Sequence, residues 1–247
     1  MKEFWFEDEL LPDEALVKQI IDSQVVEAGR EGERLTPREV YLMTGVRVRF
    51  NRILWWRIPD ATAHLPGEFE GGTLYMLQVP IEFVENRDDH AIIEARCRLD
   101  ILAPGCQRDR KPKALRVYPK LISDGTRQEV TLEIAPEISI HEVASAKLGK
   151  IGIKSEIGVI APSVQGHLNQ EGKGPYWLHK QKKFAIEGPR DHWVWIVLPS
   201  GCEYMEVSPS AIAKIKNTKL ARTPIPLGIF GGEFKHTEKR PWQRIPN

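Results

Sequence analysis

Leu16, Val17, Ile20, Ile21, Val25 and Ala28 recur at the three-and-four spacing of one helix face. Asp13 and Glu14 fall in the first turn of that pattern, Pro12 lies near its start and Gly29 just past its end, so the spacing predicts an amphipathic helix over 12–29. Thr36-Pro37-Arg38-Glu39 then offers a cap and a proline at the first helical position, enough for one or two further turns to Leu42. At Gly45 the period changes. Val46, Val48 and Phe50 alternate with Arg47, Arg49 and Asn51, which is the pattern of a strand buried on one face.

The two-residue period continues over 74–84, 91–102, 115–122, 129–134, 138–143, 150–160, 176–186, 192–198 and 204–207, with turn residues between the segments. Segments 74–84 and 91–102 are expected to pair as a hairpin across the polar run 86–89. Segments 115–122 and 129–134 are expected to form a second hairpin around Asp124-Gly125. Residues 210–216 read as a helical turn. Closely spaced strands without helix-length segments between them predict a mainly β chain: an antiparallel β-sandwich or barrel-like domain, with an N-terminal amphipathic helix and a C-terminal extended arm. The boundaries are 1–44 for the helical extension, 45–216 for the sandwich and 217–247 for a Pro/Gly-rich basic arm.

Composition agrees with a folded chain: 41% of the 247 residues are hydrophobic and 28% charged, which argues against disorder. The formal net charge is only +1, so the molecule has no global field for nucleic acid or an anionic membrane, and any such binding needs a local patch. Locally the charge is uneven. Residues 1–35 hold ten acidic side chains against four basic, 107–127 hold seven basic against two acidic, and 214–247 hold eight basic against two acidic. Three cysteines, Cys97, Cys106 and Cys202, lack any C-x-x-C spacing, and their odd number suits a reducing compartment better than a secreted disulfide framework. With no secretory leader and no apolar run near the ~18 residues of a spanning helix, the expectation is a cytoplasmic protein without membrane contact.

Most catalytic signatures are absent from the sequence. The stretch from Gly166 to Gly174 fails as a phosphate-binding loop, because one residue too many precedes Gly172-Lys173 and Gly174 stands where a hydroxyl is needed. Neither H-E-x-x-H nor G-x-S-x-G occurs. The seven histidines fall one per segment. Asp89, His90 and Glu94, or His141 with Glu142, are the nearest approaches to metal-ligand spacing, and both read as solvated surface. Asp191-His192 beside Cys202 would form a thiol dyad only if the fold brought them together. No metal and no cofactor are expected.

Tryptophan is more informative. Trp193 and Trp195 share one face of a strand and Val194 and Ile196 the other, so this segment is either a central strand covered on both sides or an aromatic platform. Core packing is the plainer reading, because large aromatics supply much of a sandwich core. Adjacent Trp55 and Trp56 must point to opposite faces if extended.

Three functions follow as expectations. The first is a non-catalytic binding or assembly module that engages a protein partner or its own copies. Its acidic N-terminal helix and basic arm would join head to tail, with Arg108, Arg110, Lys111 and Lys113 as a partner surface. The second is recognition of a carbohydrate or single-stranded nucleic acid by Tyr176, Trp177, Lys180, Lys182, Lys183, Trp193 and Trp195, where aromatics interleave with cations. The third is an enzyme assembled from scattered groups such as His90, His141 and Asp191.

Overall fold

The computed structural model describes residues 4–28, 35–58, 71–84, 90–106, 111–119, 121–122, 133–135, 138–139, 163–168, 174–180, 186–217, 220, 225–227 and 241–247. The chain is an antiparallel β-sandwich whose two sheets are not closed into a barrel. One sheet is built from β1 (Phe4–Leu10), β2 (Val46–Asn51), β3 (Leu54–Ile58), β4 (Thr73–Phe83), β6 (Lys113–Tyr118) and β12 (Gly188–Leu198), in the order β1-β2-β4-β12-β6, with β3 also on β4. The second contains β5 (His90–Leu102), β7 (Leu121–Ile122), β10 (Ser163–His167), β11 (Tyr176–Lys180), β13 (Tyr204–Asn217), β14 (Ile225–Leu227) and β15 (Gln243–Pro246). Its order is β14-β13-β5-β11-β10-β7, with β15 also on β13. A short pair, β8 (Glu133–Ala135) and β9 (Ile138–Ser139), stands apart from both.

The alternating pattern places side chains as expected. Along β4, Tyr75, Leu77, Val79, Ile81 and Phe83 enter the core between the sheets, where Ala95, Cys97 and Leu99 of β5 also lie. Leu74 and Met76 face the other way, into a smaller apolar cluster with Trp193, Trp195 and Val197 of β12. Strand β12 is therefore covered on both faces, and Trp193 and Trp195 are core residues. Residues 210–216 are not a helical turn: they continue β13, with Ala211, Ala213 and Ile215 buried on alternate positions.

The hairpin expected from 74–84 and 91–102 does not form. Strand β4 pairs with β12 and β5 pairs with β13, so these consecutive strands lie in different sheets. Of the second expected hairpin, residues 123–132 lie outside the described part. Both helices pack on the sandwich. In α1 (Glu14–Ala28), Val17 and Ile20 enter the main core, and Asp13 caps the first turn by accepting from the Leu16 amide at 2.7 Å. In α2 (Pro37–Thr44), Thr36 and Glu39 form a reciprocal capping box, and Val40 is buried. No helix among the described residues is long and apolar enough to cross a membrane.

The described residues at both ends of the chain pair into the sheets. Residues 4–10 are a strand on β2, not part of a helical extension, and the acidic charge there is met within the sheet, Glu7 pairing with Arg49 at 2.7 Å and with Arg47 at 3.7 Å. At the other end β15 pairs with β13, Ile245 is fully buried, and the Tyr75 hydroxyl donates to the Pro246 carbonyl at 2.8 Å.

A disulfide was unforeseen. Cys106 and Cys202 are bonded across 96 residues, because β5 and β13 pair with Leu102 opposite Glu206 and so bring the end of one strand beside the start of the other. The thiol dyad of His192 with Cys202 is thereby removed.

Candidate ligand-binding groove

Strands β2 and β3 run in one line along β4, interrupted at Arg52 and Ile53. The interruption frees the backbone groups of Ile53 from the strand ladder, and the side chain of Gln243 takes both, donating from Nε2 to the Ile53 carbonyl at 2.7 Å and accepting at Oε1 from its N–H at 3.0 Å. Gln243 belongs to β15, in the opposite sheet, so this contact fixes the end of one sheet against the other. It also brings three remote stretches together: Trp5 from β1, Arg52 to Trp56, and Trp242 to Arg244.

Between them lies an open groove of ≈ 560 Å³, lined by Trp5, Arg52, Ile53, Leu54, Trp55, Trp56, Trp242, Gln243 and Arg244. That volume lies in the range of small-molecule sites. Four of the seven tryptophans line it, and no acidic side chain does among the described residues. Trp55 is 37% exposed and rests its edge on Tyr75, with ring centroids 6.0 Å apart. Trp56 points to the other face and stacks on Trp193 at 5.7 Å with an interplanar angle of 20°. Both are thus braced by core aromatics, which holds the indoles in place before any ligand arrives. The Arg244 guanidinium lies over the Tyr204 ring at 3.5 Å, a cation–π contact that orients it at the groove's rim.

The residues singled out from the sequence fall elsewhere. Trp177 is fully buried, with its indole N–H donating to the Tyr118 carbonyl at 3.0 Å, and Trp195 and Trp193 are buried on the outer side of β12. Packing on the faces of β11 and β12 covers all three side chains. Tyr176 is half-buried, its ring stacked on His167 at 4.6 Å and approached by the Arg96 guanidinium at 5.2 Å. Lys180, Lys111 and Lys113 are exposed and do not adjoin the groove. Lys182, Lys183, Arg108 and Arg110 lie outside the described residues, as do Asp89, His141 and Glu142 and the side chain of His90. Glu94 pairs with Lys214 at 3.0 Å.

The sequence had flagged Trp55 and Trp56 as needing opposite faces. It carried no signal that Trp5 and Trp242 would join them, since only the strand pairings at both ends of the chain do that.

Neither a family model nor a curated protein matches the chain. A solved structure with some likeness is that of the Clostridium perfringens NetB toxin in the membrane inserted form. It shares 7% sequence identity over 81% of this chain and 88% of that one, with a TM-score of 0.31, a likeness too slight to carry an argument.

Proposed function

We propose that the protein is a ligand-recognition β-sandwich whose groove binds an acidic carbohydrate. The observation that carries this reading is one groove of molecular size lined by Trp5, Trp55, Trp242 and two arginines and, among the described residues, by no carboxylate. Indole faces take the flat apolar side of a sugar ring. Guanidinium groups offer paired donors to a carboxylate or sulfate, and Gln243 adds an amide beside them.

Single-stranded nucleic acid would also stack on indoles, but it needs a basic track several phosphates long. Two arginines on a chain of net charge +1 suit a ligand with one or two negative groups instead. The Cys106–Cys202 bond supports an oxidising compartment over the reducing one expected from the cysteine count, and extracellular glycans are met there.

The test is titration of acidic and neutral oligosaccharides while following tryptophan fluorescence, in the wild type and in Trp55→Ala and Arg244→Ala. Quenching by acidic sugars that both substitutions abolish is the expected result. Failure of every sugar to bind, or binding of single-stranded nucleic acid with a steep salt dependence, would overturn the reading.

A further inference from the structure

Inside the sandwich, away from the groove, three side chains with metal-ligand chemistry converge. Cys97 lies on β5 and His179 on β11, neighbouring strands of one sheet in which Trp177 stands opposite Cys97 and His179 opposite Ala95. His192 comes from β12 in the facing sheet. All three are buried, and one ligand atom from each lies within 4.8 Å of the others. The two imidazoles meet with their Nε2 atoms 2.8 Å apart.

The proton arrangement is constrained by a neighbour. The Val79 carbonyl, 3.1 Å from His192 Nδ1, can only accept, so Nδ1 carries the ring proton and Nε2 keeps its lone pair. That is the tautomer of a ligating histidine, and a backbone carbonyl holding the other ring nitrogen is its usual support. Trp177 packs on His192 with centroids 4.7 Å apart and Phe83 on His179 at 6.2 Å, so both rings are held from the side. His179 therefore donates from Nε2 to His192 Nε2 when no ion is bound, a proton that a metal ion would replace.

Burial acts oppositely on the two kinds of ligand. Burial keeps both imidazoles neutral, His192 down to about 4 and His179 well below its ordinary value, and the neutral ring is the form that ligates. Burial pushes the Cys97 thiol up, and the Arg190 guanidinium offsets only part of that shift, so the thiolate forms when the ion displaces its proton.

We propose that Cys97, His179 and His192 form a metal site bridging the two sheets, which takes a borderline-to-soft ion of the zinc and copper class. One thiolate and two imidazoles suit these ions and do not suit calcium or magnesium, which require oxygen ligands. With bonds of about 2.0 Å to nitrogen and 2.3 Å to sulfur, a tetrahedral ion sets its ligand atoms roughly 3.3–3.6 Å apart. The imidazoles then part by about 0.5 Å, and the sulfur closes by about 1.3 Å at most. Because all three ligating residues are buried, the ion is supplied as the chain folds.

The experiment uses the full chain with its disulfide intact, unfolded and refolded with Zn²⁺ or with Co²⁺ as a spectroscopic substitute, then freed of loose metal by gel filtration. One ion per chain is expected by elemental analysis. The Co²⁺ form should show a thiolate-to-metal charge-transfer band, and the zinc form a higher melting temperature than protein refolded with chelator. Cys97→Ser should lose the charge-transfer band, and His179→Gln should lose stoichiometric uptake. Wild-type protein that folds but retains no ion would overturn the proposal and leave the histidine pair as a hydrogen-bonded core contact. Equal uptake by wild type and both variants would overturn it too.

Discussion

Gln243 holds both polar groups of the Ile53 backbone, closing with one side-chain amide the gap that the break between β2 and β3 opens in the sheet. The two hydrogen bonds span 190 residues and join opposite sheets. Gln243→Ala is expected to cost about 1–3 kcal/mol, because it leaves a partly buried donor and acceptor without partners. Gln243→Glu keeps the acceptor but loses the donor to the Ile53 carbonyl, and should recover only part of the loss. Urea unfolding of the three proteins checks this order.

The tryptophans divide into two groups that substitution will separate. Trp55 lies in the groove and is part-exposed, so Trp55→Ala should change stability by less than about 1 kcal/mol while removing ligand-induced fluorescence quenching. Trp195 is 2% exposed in the outer cluster, and Trp195→Ala should cost about 3–5 kcal/mol. A Trp55→Ala protein with an equally lowered melting temperature would place that indole in the core instead.

The disulfide closes a loop of 96 residues in sequence separation. The loop-entropy relation gives about 4–5 kcal/mol for a loop of that size. The Cys106→Ser/Cys202→Ser double variant should therefore melt well below the wild type. Reductant should lower the wild-type melting temperature and leave the double variant unchanged, since Cys97, the remaining cysteine, is a buried free thiol.

Acid should loosen α2 first at its N-terminus. Hydrogen bonds from the Thr36 backbone and hydroxyl hold the Glu39 carboxyl below its ordinary value of 4.5. The charged form is the one favoured on folding, so this contribution is complete above that value and is lost as pH falls through the lower folded one. Protection factors of the amides of residues 38–40, which take out the pH dependence of intrinsic exchange, should fall as the pH is lowered across that window. In Thr36→Ala, which costs about 1 kcal/mol, they should already be low at neutral pH.

Several strands could be read directly from the sequence because one face of each is apolar: Val46, Val48 and Phe50 alternate as strictly in the fold as in the chain. Their partners could not. The polar run between β4 and β5 looks like a hairpin loop, yet each strand finds a partner over a hundred residues away, and nothing local distinguishes a connection within a sheet from one between sheets. Residues 210–216 were misread for a different reason. The buried positions Ala211 and Ala213 are too small to register as an apolar stripe, although burial alternates through to Ile215.

The basic arm looked separable because prolines and glycines dominate 224–232, while the short strand Gln243–Pro246 has only Ile245 to mark an inward face. The groove and the histidine pair share one limitation. Both are assembled from strands whose neighbours are set by topology, so their residues had been noticed singly, as Trp55, Trp56 and His192, and never together.

The strand order also has a consequence for synthesis. The central partners of both sheets, β4 with β12 and β5 with β13, join stretches more than a hundred residues apart, Phe83 meeting Gly188 at the nearest point of the first pair. A ribosome that has released the first hundred residues has exposed β4 with its earlier neighbours β2 and β3, but its other edge is open and β5 has neither of its partners. These edges must wait, prone to pairing with other chains, until β11, β12 and β13 emerge, and closing such long loops makes folding slow once they do.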